Sequence, residues 1–223
     1  MTTAGSGRGG RATLLCLAGG SVALAVLAVS AGQLDDFQDG TTMGWQHGTE
    51  SPLPPTVVPD GGPLGAGDAY LAVASLGGLG PGSRLAVLNR AQWTGDFGAE
   101  GLGAITAHFA NLDTAATPEL SMRLGIDDGL SQCVTDPALS LTASAWTELT
   151  FDLDSLVLLS GPGPCDDTLL DVFETRFLSA AATTYAGDPI VALLGIDNVR
   201  SDRLVFIDGF ESGDTSRWSA FVP

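Results

Sequence analysis

The chain of 223 residues carries 26 acidic side chains against 9 basic ones, all arginine, for a formal net charge of -17. With 44% hydrophobic and 16% charged residues it has the apolar content of a packed domain, which excludes an acidic disordered tail, and it lacks the basic face of a nucleic-acid binder. The absence of lysine excludes Schiff-base and P-loop chemistry, and two histidines with three cysteines leave little for nucleophile–base pairs. Taken in chain order, residues 1–31 are predicted to be a signal peptide. Arg8 and Arg11 precede an apolar run from Leu14 to Val29, and Val29-Ser30-Ala31 places small residues at the -3 and -1 positions of a cleavage site. A retained anchor is the other reading of that run, whereas Leu15 before Cys16 is unlike a lipid-attachment site. Cleavage would remove two arginines and no acid, moving the net charge from -17 to -19.

Beyond the leader the pattern has period two. Tyr70–Ala74 and Arg84–Leu88 are short predicted strands. Ile105, Ala107 and Phe109 share one strand face; Leu120, Met122, Leu124 and Ile126 share another, as do Leu149, Phe151 and Leu153. Ile190–Ile196 is an almost unbroken apolar run suited to a strand buried on both faces. Turn clusters at 59–63, 77–82, 127–129 and 161–164 separate the strands, and Thr168–Glu174 is the one helical hint. The expected fold is all-β, an antiparallel β-sandwich of jelly-roll type with at most one short helix. It would span residues 32–203 and end at the polar break Arg200-Ser201-Asp202-Arg203, leaving 204–223 as a tail.

One repeat is visible. Phe37-Gln38-Asp39-Gly40-Thr41-Thr42 leading to Trp45 matches Phe210-Glu211-Ser212-Gly213-Asp214-Thr215 leading to Trp218, with Phe, Gly, Thr and Trp at identical spacing. Each copy reads as a buried Phe, a turn and a second anchoring aromatic. Two copies are too few for a solenoid, so the second is either a terminal tag or the start of a truncated module.

Without Cys16, the cysteines Cys133 and Cys165 are an even pair in an exported chain, most simply one disulfide. Twenty aspartates against six glutamates cluster at 35–39, 127–128, 166–167 and 197. Short carboxylates on turns suit calcium, and Asp36, Asp39 and Asp197 are the candidate ligands; the competing reading is that aspartates brace their own turns. Glu100 and Glu148 would be the pair of a glycosidase, against which stands a solvated strand or loop face. Trp93, in the polar-flanked segment Gln92–Phe97, is the candidate exposed ring for stacking on a sugar, with Asp96 and Trp146 as further ligand-binding candidates. A tryptophan after a turn is otherwise a core plug. His47 and His108 are too isolated for a metal triad.

Tyr70-Leu71, the 77–82 loop with Ser83-Arg84-Leu85, Asn89, Gln92-Trp93-Thr94-Gly95-Asp96 and Leu193–Val199 resemble a family of exported bacterial modules over about residues 34–200. These are modules of laminin B (domain IV) type and carbohydrate-binding jelly rolls of the galactose-binding-like class. The tail Phe206–Ser219 resembles a terminal motif of exported bacterial proteins. The resemblance implies a structural calcium held by an acid just after an N-terminal Phe and by an Asp in the closing strand. Asp197 matches the second position, while Gln38 stands where the acid is expected. The expected function is a secreted or cell-surface, non-catalytic module recognising glycan or a matrix or cell-envelope component, with no nucleic acid as partner and no membrane span once the leader is cut. The rivals are a secreted glycoside hydrolase and a purely structural envelope protein.

Overall fold

A computed structural model describes residues 28–48, 51–78, 80–142 and 144–203. The bulk of the predicted leader and the second copy of the Phe…Trp segment lie outside the described residues. The strands are β1 (Leu34–Asp35), β2 (Trp45–Gln46), β3 (Thr56–Val58), β4 (Tyr70–Leu76), β5 (Ala86–Asn89), β6 (Leu102–Asn111) and β7 (Leu120–Asp127). They continue as β8 (Gln132–Thr135), β9 (Leu139–Leu141), β10 (Thr147–Asp152), β11 (Leu156–Ser160), β12 (Glu174–Ser179) and β13 (Val191–Arg203). One sheet runs β10-β6-β13-β4-β3, with β1 added to the far end of β13; the other runs β11-β8-β7-β12-β5-β2, with β9 on β7. All these pairings are antiparallel. The two sheets stack as a sandwich, as the alternation requires.

The apolar member of each alternation faces inward. Ile105, Ala107 and Phe109 of β6 meet Leu149 and Phe151 of β10 and Leu194 and Ile196 of β13, while β7 supplies Leu120, Met122, Leu124 and Ile126 from the other sheet. Phe177 is the hub. Trp45 stacks on it at 5.1 Å, Phe109 meets it edge-on at 5.1 Å, and Phe151 leans on it at 5.6 Å. The first Phe…Trp copy behaves as its sequence indicates: Phe37 and Trp45 are both buried, on either side of an Asp39–Gly40 turn. The Cys133–Cys165 disulfide joins β8 to the single-turn helix α1 (Cys165–Thr168).

Three expectations change. The helix expected over 168–174 is only the turn α1, because the chain after Thr168 drops into β12 and leaves Leu170 and Phe173 about half exposed. Arg200–Arg203 is no linker: a register shift between Asp197 and Arg200 lets β13 continue, and its polar residues alternate with the buried Val199 and Ser201. Residues 29–31, assigned to the leader, pack on the domain. Val29 is buried in the main core and its N–H bonds Thr94 O at 2.8 Å. Among the described residues no helix is long and apolar enough to cross a membrane.

Candidate functional site

Trp93 is the expectation the structure corrects most clearly. Its ring is 0% exposed, and its indole N–H donates to Asp35 Oδ2 at 2.7 Å. Trp45 donates to the same oxygen at 2.8 Å, and the Gln92 amide donates to Asp35 Oδ1 at 2.7 Å. The polar flank of Trp93 is therefore an internal network. Asn89 Oδ1 accepts the N–H groups of Ala91, Gln92 and Trp93, and the buried Asp35 carboxyl is held by three side-chain donors. Burial still pushes the Asp35 carboxyl above its usual range, against the pull of those donors. Asp96 is exposed and accepts the N–H of Ala99 at 2.7 Å, bracing its own loop. With Trp93 in the core, the trio Trp93, Asp96 and Trp146 is not one site.

Trp146 instead belongs to the outer face of the β10-β6-β13-β4-β3 sheet. Gly195 points outward there, and a Cβ on it would lie 2.7 Å from the six-membered ring of Trp146. Tyr70 meets that ring edge-on at 5.2 Å, and the indole N–H donates to Gly61 O at 2.9 Å. The ring is partly exposed. Strand register extends the face from there: Glu148 pairs with His108 and His108 with Asp197, then Thr150 with Thr106 and Thr106 with Arg200. Arg200 Nη1 donates to Glu148 Oε2 at 2.9 Å and Arg200 Nε to Asp202 Oδ1 at 3.2 Å. Thr106 Oγ1 donates to Asp202 Oδ2 at 2.5 Å and lies 3.0 Å from Thr150 Oγ1. His108 Nε2 stands 3.9 Å from Glu148 Oε2, and its buried Nδ1 has no partner among the described residues.

The result is an aromatic pair, with Trp146 over Gly195, beside a row of hydrogen-bonding groups in which Glu148 and Thr150 are exposed, His108, Arg200 and Asp202 are partly exposed and Thr106 is buried. The bond from Arg200 holds the Glu148 carboxyl below its usual range, so it is an acceptor and not a stored proton. Glu100, the other glycosidase candidate, accepts the N–H of Ala31. Of these residues the sequence singled out Trp146, as a ligand-binding candidate, and Glu148, as a glycosidase candidate. Tyr70, His108, Arg200 and Asp202 were not singled out as site residues: Tyr70 and His108 occupy outward positions of strands whose inward positions are apolar, whereas the inward residue between Arg200 and Asp202 is the polar Ser201.

The expected calcium ligands do not assemble. Asp39 is exposed and holds Thr41 through its N–H and hydroxyl, which draw its carboxyl below the usual range. Asp197 is fully buried; desolvation, with Asp68 and Asp36 nearby, pushes its pKa up to about 7. Among the described residues no three His, Cys, Asp or Glu side chains stand close enough to hold a metal ion.

No family model matches the chain, and no curated protein matches it. Among solved structures it is similar to the family 11 carbohydrate-binding module from Clostridium thermocellum, solved with a β-1,3-1,4-mixed-linked tetrasaccharide. The TM-score is 0.50 at 14% identity, over 78% of this chain and 97% of that module. It is also similar to an exo-β-agarase (TM-score 0.53, 11% identity, 81% of this chain and 26% of that one). A second agarase matches with a TM-score of 0.51 at 11% identity, over 78% of this chain and 26% of that one. The chain thus spans about a quarter of the length of the agarases it matches. At these identities the likeness is one of fold: the chain is a β-sandwich of the jelly-roll kind found in carbohydrate-binding modules.

Proposed function

We propose that this chain is an exported, non-catalytic domain that binds an extended, uncharged glycan across the outer face of the β10-β6-β13-β4-β3 sheet. The observation that carries the reading is Trp146 seated over Gly195 and against Tyr70, next to the Glu148–Arg200–Asp202 row. A pyranose has an apolar face for the uncovered part of the indole and equatorial hydroxyls for carboxylates, guanidinium and threonines, a division of labour that aromatic and charged side chains meet together. The face is acidic on balance, since Arg200 is shared by Glu148 and Asp202 with Asp152 beside them, which favours neutral over anionic chains. Export and a partner in a matrix or cell envelope are supported by the leader pattern.

The test is titration calorimetry of the full chain against mixed-linked β-1,3-1,4-glucan, agarose and other neutral polysaccharides. One of these should bind, and Trp146→Ala should weaken it roughly tenfold or more, the loss of a buried aromatic anchor. Binding that Trp146→Ala leaves intact would place the site elsewhere.

A further inference from the structure

The N-terminal edge, carrying Asp36, meets the last strand, carrying Asp197, beside the buried Asp68. Leu34 and Asp35 pair with Arg200 and Val199, and the two segments turn through left-handed residues, Phe37 (φ 56) and Asn198 (φ 51). Among the described residues the Asp197 carboxylate accepts only from its neighbour, from Asn198 N at 2.8 Å and from Asn198 Nδ2 at 3.0 Å. Asp68, also buried, accepts Leu64 N–H on Oδ2 at 2.7 Å. Its other oxygen faces Gln38. Gln38 Nε2 donates to Asp68 Oδ1 at 2.8 Å, to Asp36 O at 3.2 Å and to Ala69 O at 3.4 Å, while Gln38 Oε1 accepts Ala69 N–H at 3.4 Å. One amide nitrogen therefore sits among three oxygens from three residues, in a groove of about 340 Å³ lined also by Leu64 and Asn198.

Calcium needs six to eight oxygens at about 2.3–2.6 Å and gathers them by its charge. A primary amide gathers fewer, by two N–H dipoles, and needs no ion. We propose that the Gln38 amide replaces the cation that the resemblance places at this edge. The clamp between the N-terminal segment and the 60s loop then closes without calcium, and a single change, Gln38→Glu, would turn it into a calcium site. In that variant one carboxylate oxygen takes the place of the amide nitrogen and its two N–H donors. A carboxylate is thereby added beside Asp68 and Asp36, and the balancing charge must come from an ion.

The experiment uses the full chain freed of metal by dialysis against a chelator, with melting curves and equilibrium dialysis with and without calcium. The wild type should hold no calcium and melt at the same temperature in both conditions. Gln38→Glu should melt lower than the wild type without metal, bind one calcium per chain, and recover when calcium is added. Gln38→Met, similar in length but without the amide, should melt lower than the wild type regardless of calcium. Stoichiometric calcium on the wild type, a calcium-dependent rise in its melting temperature, a Gln38→Glu variant that ignores calcium, or a Gln38→Met variant as stable as the wild type would each overturn the proposal.

Discussion

At the scale of single residues, Asp35 decides whether the two sheets close correctly. Both tryptophan N–H groups end on one of its oxygens and the Gln92 amide on the other, so an amide in its place loses an acceptor and presents a donor to a donor. Asp35→Asn is expected to cost about 2–4 kcal/mol by leaving buried donors unmatched, read from chemical denaturation followed by tryptophan fluorescence. His47 makes a pH prediction of definite sign. Its Nδ1 lies 3.0 Å from Ser51 Oγ, its buried Nε2 has no partner among the described residues, and burial pushes its imidazole below the usual range. The unfolded chain therefore takes the proton first, and His47 subtracts stability as pH falls through about 6.5. Asp35 and Asp197, raised by burial, work in the opposite direction, so the comparison must be between variants. From pH 7.5 to pH 5 the wild type should lose more, or gain less, melting temperature than His47→Gln; identical profiles would remove His47 from the account.

At the scale of elements, the strand 200–203 and the segment before β1 support each other. Ser201 Oγ donates to Ser30 O at 2.6 Å and accepts Gln33 N–H at 3.0 Å, and Val29 fills part of the core. A chain starting at Gly32 is therefore expected to be about 2–3 kcal/mol less stable than one starting at Val29, mostly through the lost valine burial, measured by urea unfolding of the two forms. Reducing the Cys133–Cys165 bridge, which closes a separation of 32 residues, should cost about 3–4 kcal/mol on the chain-entropy account, measured the same way. Those two elements also show what local pattern reveals. Strands β6, β7 and β10 were legible because their inner faces are apolar and their outer faces are not. Arg200–Arg203 was mistaken for a break because its buried Ser201 is polar, so no apolar period marks the strand. Val29 looked like leader because an apolar residue at the edge of a hydrophobic run is indistinguishable, by composition, from one that belongs to a core. Trp93 misled for the converse reason: polar neighbours bonded to Asp35 look, in one dimension, like a solvated loop.

At the scale of the whole molecule, four of the arginines among the described residues are paired with carboxylates. Arg90 and Arg176 bind the buried Glu174, Arg123 binds Asp136, and Arg200 binds Glu148 and Asp202. A net charge of -17 thus presents no basic patch among those groups, and anionic polysaccharides should be excluded while a neutral glycan binds with little dependence on salt. Calorimetry at low and high salt checks this; affinity that collapses with salt would point to a charged ligand. The fold itself is shared with carbohydrate-binding modules, but which surface is used is a property of this chain's own outward residues. Hydrogen exchange of the full chain with and without a saturating neutral glycan locates that surface directly. Slowed exchange should appear in β10, β6 and β13 around Trp146, Glu148 and Arg200. Slowed exchange confined to the β11-β8-β7-β12-β5-β2 sheet, or no change with any glycan, would contradict the assignment of the binding face.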